Sequence, residues 1–138
     1  MTPVANRYLV DRVMTATPAQ LIGMIYDVAV RSLDAADKEL VEGRRQEMTR
    51  HVQKAQDAIT ELRCSLLTGT GDPAIDAMSG NLDAIYEYVF LKLVKAVMGK
   101  EDRAIVECHR IISELRDAWR TGCIEGGVQQ QVATLGVA

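Results

Sequence analysis

Aromatic side chains are scarce in this 138-residue chain, at 4% of positions, and its 48% apolar content rests mostly on Leu, Ile, Val, Ala and Met. That mixture suits helices better than strands. Long apolar runs are missing too. The longest, around Val89 to Met98, is broken by Lys92 and Lys95, far short of the roughly 18–20 residues of a membrane span. The opening Met1 to Arg7 has no apolar signal-peptide core. The three cysteines, Cys64, Cys108 and Cys123, are odd in number and form no CxxC pair. A disulfide framework is therefore not expected, and reduced thiols in a cytosolic protein are the simpler reading. Positive charge is not in excess either. A net charge of −3 gives no global reason to seek nucleic acid or an anionic membrane.

What is present is helical punctuation. Thr17-Pro18-Ala19-Gln20 combines a capping hydroxyl, a proline at the first helical position and a Gln where a capping box wants one. Leu21, Ile25, Val28, Ser32, Ala36 and Leu40 then recur at steps of three and four until Gly43. A second helix carries Met48, Val52, Ala55, Ile59, Leu62 and Leu66 and stops at Thr68-Gly69-Thr70-Gly71. Asp72-Pro73 repeats the cap-plus-proline start of a third helix, which ends near Met98-Gly99. Its second half is apolar nearly all round, so it is either central or presents one face to a partner. A fourth helix follows Ile105, Cys108, Ile112, Leu115 and Trp119 to Gly122.

Short connections make neighbouring helices antiparallel. The expected fold is all-α, an elongated antiparallel up-and-down four-helix bundle with an N-terminal cap segment. In this reading residues 1–16 pack on the bundle, 17–122 form it, and 123–138 are a loosely ordered tail.

Catalytic chemistry finds no foothold. A di-metal bundle site needs Glu-x-x-His on two helices, but Met48 stands three before His51 and Val106 three before His109. Cys108 and His109 are helical neighbours that point about 100° apart, and Cys108 falls on the apolar stripe as a small buried thiol. No phosphate loop, catalytic triad or zinc spacing is present. The basic run Arg44-Arg45 sits at a helix junction flanked by Glu42 and Glu47, a solvated turn rather than a nucleic-acid contact. The expectation is a non-enzyme with no cofactor and no metal, as a monomer or weak homodimer, with no nucleic acid and no membrane insertion.

The motifs taken in order resemble the flagellin export chaperones of the FliS family. They are Tyr8; Val13 to Pro18; Gln20-Leu21-Ile22; Met24-Ile25-Tyr26-Asp27; Lys54 to Ile59; Glu61-Leu62; Ser65-Leu66; Asn81-Leu82; Ile85-Tyr86-Glu87-Tyr88; Leu93; and Leu115 to Trp119. They span roughly residues 6 to 121. Leu91-Lys92 departs from the pattern, standing where a pair of arginines is common.

The resemblance implies a cytosolic chaperone that binds the disordered C-terminal segment of flagellin. Holding that segment prevents premature polymerisation and keeps the subunit competent for flagellar type III export. For some members the resemblance extends to contacts with the export gate and an anti-sigma regulator. The alternative is a helical adaptor or a chaperone for a different secreted substrate. A segment that folds on binding needs long apolar grooves. The candidates for groove or core are Ile59, Leu62, Leu66, Leu82, Ile85, Tyr86, Val89 and Leu93. Tyr8, ahead of the first cap, either anchors its segment permanently on the bundle or, as the resemblance implies, lies over the groove and moves when flagellin binds. Tyr26 and Tyr88 are expected half-buried, and Trp119 at the core or the bundle end.

Overall fold

The structure is a computed structural model that describes residues 16–122. Four helices occupy this range: α1 (Pro18–Val41), α2 (Arg45–Cys64), α3 (Pro73–Val97) and α4 (Ala104–Thr121). Each begins or ends where its local chemistry dictates. The Thr17 hydroxyl accepts from the Gln20 N–H at 3.1 Å, and the Gln20 side chain accepts from the Thr17 N–H at 2.9 Å. This reciprocal box satisfies two donors that a helix start leaves open. At α3 the Asp72 carboxylate accepts from the Ala74 N–H at 3.0 Å ahead of Pro73.

The tight turns α1–α2 and α3–α4 use one device. Gly43 and Gly99 adopt φ of 77° and 75°. The following N–H groups of Arg44 and Lys100 reach back to the carbonyls of Glu39 and Lys95 at 2.9 and 3.0 Å. Such left-handed caps close a helix with its last carbonyls paired and suit glycine because no Cβ intrudes. α2 ends at Cys64, so Leu66 lies just past the helix instead of on its last turn.

Cross-helix pairs show the antiparallel order. Along α2 and α3 the partners are Arg63 with Asp83, Gln56 with the Phe90 carbonyl, and Arg45 with the Ala96 carbonyl. Each step back along α2 is a step forward along α3. Tyr88 and Lys92 of α3 meet Glu107 of α4 and Glu101 of the preceding turn in the same sense. Arg120 of α4 returns to Asp27 of α1 at 2.8 Å. The helices therefore form a closed ring in sequence order, with α1–α2 the most intimate seam and α3 held more sparingly by its neighbours.

The core draws on all four helices, through Ile22, Tyr26 and Leu33, Met48, Val52 and Ile59, Leu82, Val89 and Leu93, and Ile105 and Ile112. The buried face of α1 is centred on Ile22, Tyr26, Ala29, Leu33 and Ala36. Leu21, Ile25, Val28 and Leu40 of the expected stripe flank it half-buried. Trp119 packs beside Gly23 of α1, where an added Cβ would make ordinary van der Waals contact with the indole at 3.5 Å. Cys108 is buried, as its place on the stripe suggests, and burial pushes its thiol up to about 12. Cys64 is exposed. Among the described residues no helix is long and apolar enough to cross a membrane, and no group of three His, Cys, Asp or Glu is placed to hold a metal ion.

Candidate binding site

α3 presents apolar residues in two directions. Leu82, Tyr86, Val89, Leu93 and Ala96 recur at helical spacing and point into the core. Leu91, Val94 and Met98 form a second stripe, 53%, 36% and 59% exposed, on the outer face. An outward helix face is ordinarily polar, and contiguous exposed apolar groups mark interaction surfaces.

The two flanks of this stripe differ. Toward α4 the seam is charged and closed. The Tyr88 hydroxyl donates to Glu107 at 2.6 Å, and the Lys92 ammonium reaches Glu101 at 2.7 Å and lies 5.6 Å above the Tyr88 ring. The hydrogen bond to Glu101 raises the Lys92 pKa, and the same bond lowers that of Glu101. Toward α2 the seam carries ion pairs at two ends, with Glu87 one turn beyond Asp83 and close enough to act on Arg63. Arg63 pairs with Asp83 at one end at 2.8 Å, and Arg45 with Asp102 at the other at 3.4 Å. Between them Gln56 donates to the Phe90 carbonyl at 3.3 Å, and Phe90 and Val97 sit half-buried. Thr49, Gln53 and Thr60 fall on the same flank of α2 as Gln56 by helical register.

The structure separates the expected groove residues. Ile59, Leu62, Tyr86, Val89 and Leu93 are 0% exposed and Leu82 is 4% exposed, so in this closed bundle all six are core. Leu66 and Ile85 are half-buried at the core's edge. Tyr8 lies outside the described residues. The outer residues Leu91, Val94 and Met98 were absent from the expected set, although the all-round apolar character of α3 is the signal that points to them.

Tyr88 is 44% exposed with its hydroxyl bonded at the surface, while Tyr26 corrects the expectation of a half-buried ring and joins Tyr86 in the core. Both are fully enclosed, with their hydroxyls bonded to each other at 2.5 Å across the core. The Tyr26 ring also packs on Trp119, centroids 6.2 Å apart. Burial pushes the Tyr26 phenol up to about 12 and raises that of Tyr86 as well. An unfolded tyrosine ionises near pH 10, while these two stay neutral in the folded chain. Above about pH 10 the unfolded state therefore binds fewer protons than the folded one, and stability falls as pH rises, by up to about 1.4 kcal/mol per pH unit for each tyrosine. Urea unfolding at pH 8 and pH 11 is expected to show this loss. A Tyr26→Phe/Tyr86→Phe double variant, which removes both titrating groups together, is expected to show much less of it.

The profile of the family described as "Flagellar protein FliS" matches residues 1–125. The chain belongs to the FliS family. Curated relatives agree with that membership. The flagellar secretion chaperone FliS of Bacillus subtilis (strain 168) is 26% identical over 113 residues, covering 82% of this chain and 80% of the relative. The protein of the same name from Salmonella typhimurium is 28% identical over 108 residues, 78% of each chain. That of Escherichia coli (strain K12) is 26% identical over 119 residues, 86% of this chain and 85% of the relative. Family membership thus covers all four helices, including both stripes of α3.

Proposed function

We propose that this protein is an export chaperone that holds the C-terminal segment of flagellin against the outer face of α3 and the α2–α3 seam. In this role it keeps flagellin from polymerising early and competent for flagellar type III export. The observation that carries the reading is the exposed apolar stripe Leu91, Val94 and Met98 on the outer face of α3. Membership of the FliS family, with relatives named flagellar secretion chaperones, supports flagellin as the occupant of that stripe. An amphipathic segment can lay its apolar side on such a surface and gain the burial that offsets its ordering cost.

The proposed contact set is Leu91, Val94 and Met98, with Leu66 at the core's edge, while Ile85 falls on the α4 flank with Tyr88 and Lys92. Ile59, Leu62, Leu82, Tyr86, Val89 and Leu93 belong to it as the packed support beneath, and Tyr8 on the resemblance alone. The working compartment is the cytosol. Contacts with the export gate and an anti-sigma regulator belong to the same reading as later steps of delivery and control.

The test is calorimetric titration with a peptide covering the last ~40–50 residues of flagellin from the same organism, followed in parallel by circular dichroism. Tight binding, a negative heat-capacity change and helix gained beyond the sum of the parts are expected. No heat and no gain of helix would remove flagellin as the partner and favour a chaperone or adaptor for another substrate.

A further inference from the structure

The first two turns of α3 are held differently from the rest of the bundle. No side chain from Pro73 to Met78 is buried, and the enclosed face of the helix begins only at Ser79. Ser79 is 0% exposed, yet its hydroxyl has no hydrogen-bond partner. A buried hydroxyl left unpaired weakens the packing around it. The next residue, Gly80, has no steric reason to be glycine, since an added Cβ would meet nothing within 4 Å. Glycine inside a helix costs conformational entropy relative to alanine, and Asn81 after it is a poor helix former. Three unfavourable choices thus coincide where the helix enters the core.

The piece ahead of this point is bonded into itself. Thr70 donates from its backbone N–H and its hydroxyl to the Asp76 carboxylate at 3.0 and 2.8 Å. The Asp72 N–H donates to the Thr70 hydroxyl at 3.2 Å, and Asp72 caps the helix start. These bonds join the loop to the first helical turns. At the loop's other end Gly69 has a φ of 64°. Beyond the weak stretch, the Arg63–Asp83 pair fastens α3 to α2.

We propose that residues 70–78 form a flap, hinged at Gly69 and at Ser79–Gly80, that lifts as a unit while α3 from Leu82 onward stays docked. Lifting it withdraws Met78, which packs half-buried against the core, from this end of the bundle. The flap stands on the packing alone; its use, lengthening the apolar surface for an incoming segment, rests on the flagellin reading above.

Hydrogen exchange of the full chain, read by mass spectrometry without any partner, tests the flap. Peptides from 70–78 are expected to exchange faster than those from 82–97 and from α2. Gly80→Ala is expected to slow exchange in 70–78 by about two- to fivefold and leave the other helices unchanged. Ser79→Ala is expected to act in the same direction. Equal exchange in 70–78 and 82–97 of the unaltered chain would overturn the flap, as would slowing by Gly80→Ala spread evenly over all four helices. Titration of both chains with the flagellin peptide then tests the use: Gly80→Ala is expected to slow association. If no peptide binds either chain, the flagellin reading fails, while the exchange pattern still decides the flap.

Discussion

A Leu91→Asp/Val94→Asp double variant is expected to remain a folded four-helix bundle and to lose affinity for the C-terminal segment of flagellin by about a hundredfold or more. The two halves of this expectation have separate causes. In the free protein Leu91 is 53% and Val94 36% exposed. The double substitution therefore costs some packing and adds a like-charge pair but places no carboxylate in the core, a loss of about 1–2 kcal/mol. The carboxylate introduced by Leu91→Asp would stand one turn from both Lys95 and Glu87, so the attraction and the repulsion along the helix largely offset. In the complex the same carboxylates would be taken out of water against apolar side chains with no partner. Circular dichroism and thermal unfolding check the first half, and peptide titration the second. Unchanged affinity would move the occupant off the outer face of α3. Loss of helicity would mean that these side chains support the fold.

Much of the bundle is legible in the sequence because its helix ends are chemical. Thr17, Pro18 and Gln20 are a capping box in the sequence and the same hydrogen bonds in the structure. Gly43 and Gly99 stop α1 and α3 because the chain there needs a positive φ. Orientation about the helix axis is harder to read. In α1 both Leu21, Ile25 and Val28 and the neighbouring Ile22, Ala29 and Leu33 satisfy helical spacing, and packing selects the second set. In α3 the stripe through Val89 and Leu93 is apolar over its whole length, whereas Glu87 interrupts the one through Leu91 and Val94, so period favours the first as core without saying what the second does. The deciding contact is the bond from Tyr86 to Tyr26. Those residues are distant in sequence, and neither carries a local sign that it will find the other. Lys92 and Lys95 do carry such a sign. Two lysines within an apolar run mark the flank that pairs with Glu101.

Leu93→Asp, only two positions from Leu91, is expected to unfold the protein at neutral pH. Leu93 is 0% exposed and belongs to the core cluster. Removing its side chain costs about 2–5 kcal/mol in lost packing. A carboxylate left there without a partner adds several kcal/mol more. Domain stabilities are typically about 5–15 kcal/mol, so the substitution consumes most of what is available. The carboxyl in the folded state would titrate above its ordinary value, because burial favours the neutral acid. In the unfolded chain it titrates near pH 4, so the destabilisation is largest above the raised value and shrinks as pH falls toward 5. Urea titrations should therefore show no folded baseline at pH 7.5 and a partly recovered transition at pH 5. Leu93→Ala, which lacks the charge, should show no such recovery. If Leu93→Asp instead folds normally at neutral pH and loses only flagellin binding, the α2–α3 seam is open in solution, and Leu93 lines the groove rather than supporting it.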